Sequence, residues 1–98
     1  MVYETDDLIA FRDVAPVAPT HILVIPKKHI PSLTNMEKNE RTDLLPKMYD
    51  AIDELVKKEG LDDKGYRVVT NTGKEGGQTV NHLHFHLLGG RSMQWPPG

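Results

Sequence analysis

The chain contains no cysteine. That absence removes disulfides, thiolate-ligated zinc and thiol catalysis together. No charge of one sign dominates either: 12 Lys and Arg stand against 14 Asp and Glu, a formal net charge of −2. So balanced a chain has no electrostatic hold on nucleic acid or an anionic membrane, and the Lys27–Lys28 pair is too small a patch to supply one. No stretch approaches the ~20 apolar residues of a membrane span. The opening Met1-Val2-Tyr3-Glu4-Thr5-Asp6-Asp7 has no basic region followed by an apolar run, so it is not a secretory signal, and a cytoplasmic protein is expected. Repeats, low-complexity runs and linkers are also missing, which leaves a single domain over residues 1–98. A domain this small buries only about 60–65% of its unfolded surface, so its core is thin and a partner subunit is expected.

What is present reads as strands around one long helix. Leu8 to Arg12 is a short strand followed by Asp13, and Pro16 and Pro19 make 14–20 a loop. His21 to Ile25 is β-branched and apolar, with Pro26 ending it. Between Thr34 and Glu59, Leu44, Leu45, Met48, Ile52, Leu55 and Val56 recur at three and four residues, one apolar helix stripe. Asp50, Asp53, Glu54, Lys57 and Lys58 form its solvated face, and Gly60 suits the C-terminal cap. Pro46 implies a helix kinked there and starting near Lys38, in preference to one starting near Asp43. Gly65 to Asn71 and Val80 to Leu88 read as two further strands separated by a Gly-rich loop, 72–79. Pro96 and Pro97 keep the tail out of helix and sheet. The order β-β-α-β-β, without βαβ spacing, predicts an antiparallel α+β sandwich.

The chemistry concentrates in Asn81-His82-Leu83-His84-Phe85-His86-Leu87. On a strand, Leu83, Phe85 and Leu87 turn to the core, and three imidazoles line the opposite face roughly 6.6 Å apart. Two chemistries use such a row. Neutral imidazoles at His82, His84 and His86 can share a metal. Alternatively, one attacks phosphorus while its neighbours hold charge and protons. No carboxylate or cysteine lies within the run, whereas Gly76-Gly77-Gln78-Thr79 just before it offers backbone N–H groups and a hydroxyl to an anion. The phosphorus reading is therefore preferred.

The run from Gly76 through His82-Leu83-His84-Phe85-His86-Leu87-Leu88 to Arg91 resembles the histidine triad signature, His-φ-His-φ-His-φ-φ with φ apolar. Ala18-Pro19-Thr20-His21-Ile22-Leu23-Val24-Ile25-Pro26-Lys27-Lys28-His29-Ile30 and the ending Trp95-Pro96-Pro97-Gly98 look like the nucleotide-binding (Hint) branch of that family, whose members hydrolyse adenosine phosphoramidates. The resemblance implies a HIT-like fold with one main helix, two protomers joined into a homodimer, and a purine nucleotide as substrate. It makes His84 the nucleophile that becomes adenylylated. His86 would contact the α-phosphate, and His82 would orient the site alongside His21. Thr79 stands where the family usually has Ser, beside the phosphate or leaving amine. Asn71, Gly77 and Gln78 match phosphate-side contacts. Asp13 matches the carboxylate on the ribose hydroxyls, Phe11, Val14 and Leu23 the purine pocket, and Trp95 a tail residue that reaches the neighbouring subunit. Family members usually carry a segment before the Val2-Tyr3 strand that completes the purine pocket; with the sequence opening at that strand, either a shortened sequence or an opened base pocket is expected.

These roles agree with imidazole chemistry. A large fraction of imidazole is neutral near pH 7, and one ring nitrogen must donate to a fixed acceptor before the other can attack. The carbonyl of His82 is a candidate acceptor for His84. His84 would then displace an amine to give a His-AMP intermediate, and water would release AMP, with no metal or cofactor involved. The alternatives are a nucleotide-binding or scaffolding dimer without catalysis, and the three-histidine metal site. His29, beside two lysines, is read as structural, and Asp13 alone would be ordinary turn chemistry.

Overall fold

The computed structural model describes residues 1–98 as five strands and one long helix. The strands are β1 (Tyr3–Glu4), β2 (Leu8–Arg12), β3 (Thr20–Pro26), β4 (Tyr66–Val69) and β5 (Phe85–Gly89). The helix, α1, is Lys38–Lys58 and follows a 3-10 turn at Leu33–Asn35. Every strand pair is antiparallel, in the order β1-β2-β3-β5-β4, which is the α+β class expected from the element order.

Register decides what each face of the sheet carries. Ala10, Val24 and Phe85 form one row across β2, β3 and β5. Ile22 and Leu87 form the next row on that face, since side chains alternate along a strand. With Leu8 they pack against Leu44, Met48, Ala51, Ile52, Leu55 and Val56 of α1 in a single buried cluster. Phe11, Leu23, His86 and Val69 form a row on the opposite face, with His21 two residues along from Leu23. The only long helix thus covers one face and leaves the histidine face open.

The helix starts at Lys38, because the Glu40 carboxylate accepts the Glu37 N–H at 2.8 Å and satisfies a donor that the first turn leaves unpaired. It runs through Pro46, whose missing N–H falls on an exposed position where water can serve the Thr42 carbonyl. It stops at Gly60, which takes φ +68° beyond the last turn.

Two strand lengths differ from expectation. β4 covers Tyr66–Val69 rather than 65–71, and the last strand begins at Phe85 rather than Val80. Of residues 80–84 only Leu83 is buried, and their polar atoms go elsewhere. The Leu83 N–H donates to the Ile30 carbonyl at 2.7 Å, the Gln78 side chain donates to the Val80 carbonyl at 3.0 Å, and the Thr70 hydroxyl donates to the His84 carbonyl at 2.9 Å. The Gly-rich loop pulls the two chains apart before a ladder can form. The tail is neither helix nor strand; Arg67 donates to the Gln94 carbonyl at 2.8 Å, and Arg91 to that of Val17 at 2.9 Å. No helix is long and apolar enough to cross a membrane.

Candidate active site

His84 sits immediately before β5, between buried Leu83 and half-buried Phe85. Its Nδ1 lies 2.7 Å from the His82 carbonyl oxygen. A carbonyl can only accept, so Nδ1 carries a proton, and in the neutral ring Nε2 presents the lone pair. The acceptor anticipated from the sequence is the one present. The His84 and His86 rings meet edge to face, with centroids 4.9 Å apart.

His86 belongs to a second chain of bonds. The Val17 N–H donates to His21 Nδ1 at 3.2 Å, which places the His21 proton on Nε2. That Nε2–H faces His86 Nδ1 at 2.8 Å and the Asp13 carboxylate at 3.5 Å. His86 therefore accepts at Nδ1 and carries its own proton on Nε2. Burial, then the proximity of His84 and His21, hold the His86 pKa below its ordinary value, while Asp13 pulls weakly the other way. A neutral His86 with a fixed Nε2–H is a hydrogen-bond donor for an anion. Asp13 closes a turn with one oxygen, accepting the Ala15 N–H at 2.8 Å, and leaves the other oxygen toward His21.

His82 is not part of an aligned row. Its Nε2 donates to the carbonyls of Pro26 at 2.9 Å and Lys28 at 3.2 Å, and its ring stands edge-on to His29 at 5.0 Å. The bond to His21 comes from His86, whose strand β5 pairs with β3, whereas His82 lies before β5. The three triad rings are each tied to different partners, which does not suit a shared metal. The group that does converge is Asp13, His21 and His86, with ligand atoms within 4.8 Å of one another. A cation there would need the His21 Nε2 lone pair, forcing a proton onto Nδ1 against the Val17 N–H. The donor set does not fit a metal.

The loop before the triad is shaped from within. A Cβ on Gly76 would overlap the Thr72 backbone, and Gly77 takes φ +77°. The Asn71 amide donates to the Gly76 carbonyl at 2.7 Å. The Gln78 side chain accepts the Gly73 N–H at 2.9 Å and donates to the Pro31 carbonyl at 2.7 Å. Asn71 and Gln78 thus hold the loop with the side-chain groups the sequence had pointed at phosphate. Thr79 is exposed and, with Lys74, Gly77 and Asn81, lines an open concavity of about 440 Å³ that has no hydrophobic residue in its lining. Phe11 and Leu23 lie in the row that includes His86; Val14 and Trp95 project into solvent, 100% and 82% exposed. Sequence reasoning passed over Thr70, Val17 and the Pro26 carbonyl. The last two act through backbone atoms, which carry no residue signal, and Thr70 showed only as a polar residue after two valines.

An antiparallel sheet with one helix behind it, and a His-φ-His-φ-His segment entering the interior strand β5 on the open face, defines a histidine triad domain. The HIT domain family profile matches residues 1–93, and the chain belongs to that family. It is 55% identical over 98 residues to an uncharacterized HIT-like protein of Synechococcus elongatus, covering 100% of this chain and 84% of the relative. The crystal structure of a HIT family hydrolase from Legionella pneumophila superposes with a TM-score of 0.95 at 47% identity, over 99% of this chain and 86% of that one. A histidine triad nucleotide-binding protein from Candida albicans superposes with a TM-score of 0.76 at 34% identity, over 97% and 72%.

Proposed function

We propose that this protein hydrolyses the P–N bond of adenosine phosphoramidates, releasing AMP through a covalent His84–AMP intermediate. The observation that carries the reading is the 2.7 Å bond from His84 Nδ1–H to the His82 carbonyl, which in the neutral ring puts the lone pair on Nε2 and fixes the ring against the backbone. The names of the Legionella and Candida neighbours, a hydrolase and a nucleotide-binding protein, agree with it. In the first half-reaction the Nε2 lone pair forms a bond to phosphorus as the P–N bond to the amine breaks, and the leaving nitrogen takes a proton from solvent. In the second, a water oxygen bonds to phosphorus and gives one proton back to solvent, the His84–phosphorus bond breaks, and AMP leaves with His84 returned to its neutral form. His86 Nε2–H donates to a non-bridging phosphoryl oxygen, with His21 holding its tautomer. Thr79 hydrogen-bonds phosphate or the leaving amine, and Gly77 and Gln78 shape the anion-facing loop. Asp13 receives the ribose hydroxyls, and the purine lies against Phe11, Leu23 and Val14. His82 anchors the segment through the carbonyls of Pro26 and Lys28.

The working unit in this reading is a cytoplasmic homodimer. An apolar concavity of about 440 Å³ lined by Leu45, Tyr49, Ile52, Tyr66, Val68 and Phe85 runs from α1 to β4, and β4 is an edge strand with an unpaired side. Tyr49 and Tyr66 are 64% and 43% exposed there, a surface that a second copy would cover. Trp95 then reaches toward the partner's site.

The test is AMP release from an adenosine phosphoramidate in the presence of chelator, with His84→Ala alongside and mass spectrometry of rapidly quenched protein. Turnover and an adenylylated wild type, with neither in the variant, are expected. AMP binding without turnover in both would replace the reading with a binding-only dimer.

A further inference from the structure

We propose that Thr70 is a positioning residue, holding His84 in register with the phosphate-facing loop; the inference rests on His84 being the nucleophile. β4 ends at Val69 and β5 begins at Phe85, so the His84 carbonyl lies just outside the sheet ladder. The Thr70 hydroxyl takes the place of the missing ladder donor, at 2.9 Å. The next residue, Asn71, closes the Gly-rich loop through its 2.7 Å bond to the Gly76 carbonyl. Two adjacent side chains therefore grip the two halves of the site: one the nucleophile's backbone, the other the loop facing the phosphate.

The bond within the triad cannot do this. His84 Nδ1–H to the His82 carbonyl orients the ring only relative to its own segment. That segment is tied down at Leu83 by the Ile30 carbonyl, but on His84 itself only Thr70 acts from another element. The side chain's surroundings argue against a packing role. Thr70 is the one polar residue among nine that line the concavity between α1 and β4, eight of them hydrophobic. It follows Val68 and Val69, and a third valine would suit that lining better than a hydroxyl. The hydroxyl is explained by its bond to His84.

The experiment compares Thr70→Val, which keeps shape and removes the donor, with Thr70→Ser, which keeps the donor and removes a methyl. Single-turnover adenylylation and steady-state AMP release are measured on an adenosine phosphoramidate, with AMP affinity as a binding control. Thr70→Val is expected to lower kcat roughly fivefold to twentyfold while KM and AMP affinity stay within about twofold, because a misaligned nucleophile loses rate and not ground-state binding. Thr70→Ser is expected to recover most of that loss. A Val variant as fast as wild type would overturn the proposal. So would a Ser variant as slow as the Val variant, or a loss confined to KM. The ¹³C shift of the His84 carbonyl gives a readout independent of turnover: it is expected to move in Thr70→Val and to stay near wild type in Thr70→Ser, while the His84 ring keeps its Nδ1–H tautomer. An inert wild type or an active His84→Ala would refute the nucleophile, not the clamp, which the carbonyl shift would still report.

Discussion

The His21–His86 bond sets which nitrogen of His86 carries the proton, and replacing His21 with leucine tests it. His21 is 6% exposed and makes two bonds with its two ring nitrogens, at 3.2 Å from the Val17 N–H and 2.8 Å to His86 Nδ1. Leucine fills much of the same volume but can neither accept nor donate. Val17 loses an acceptor, which costs stability, whereas the effect on rate comes through His86. Without a donor at its Nδ1, the ring is free to place its proton there and present a lone pair where a phosphoryl oxygen needs a donor. One neutral hydrogen bond contributes about 1–1.5 kcal/mol net, and its loss from the reactive arrangement lowers kcat/KM about fivefold to tenfold. His21→Gln restores an N–H donor at similar reach and is expected to fall between the two. The assay is AMP release from an adenosine phosphoramidate, paired with ¹⁵N NMR of the His86 ring. A leucine variant within about twofold of wild type, or one whose His86 keeps a single Nε2–H tautomer, would refute the relay of tautomers from Val17 to His86.

Other perturbations test the fold and the electrostatics. Because the His86 pKa is held below its ordinary 6.5, the unfolded chain binds more protons than the native one just below that pH. Stability is therefore full above pH 6.5 and declines as pH falls through the lower native value; melting temperatures from about pH 8 to about pH 5 should show this, with a flatter profile in His86→Asn. Leu87 is 0% exposed between sheet and helix, and Leu87→Ala should lower unfolding free energy by about 3–5 kcal/mol in urea titration. A loss under about 1.5 kcal/mol would mean that the sheet–helix core is looser than its burial indicates. Gly76→Ala puts a methyl group into the Thr72 backbone, so it should weaken AMP binding about tenfold by calorimetry while the core and its melting transition change little.

Much of the fold is legible in the chain because local chemistry and tertiary packing demand the same thing. The apolar stripe from Leu44 to Val56 reappears as the buried face of α1, and Gly60 ends that helix. The alternation of Leu83, His84, Phe85, His86 and Leu87 predicts which side chains enter the core whether or not the segment is in a ladder. What misled was the extension of that alternation into a strand from Val80. Period two reports burial, and ladder pairing depends on where a neighbouring strand runs, which the Gly-rich loop decides.

The sequence by itself thus determined the class of fold and, through the histidine triad motif, the family; His84 as the attacking residue is what the resemblance to that family implies. The class and the motif are written in residue type and short spacing. Only the tertiary structure decided how the histidines are partnered. His21 and His86 are 65 positions apart and meet because β3 and β5 are neighbours in the sheet. Val17, Pro26, Lys28 and the His82 carbonyl fix tautomers through main-chain atoms that every residue type shares. A proton's position on a ring depends on the group facing it across space, and that group is set by the packing of strands and loops.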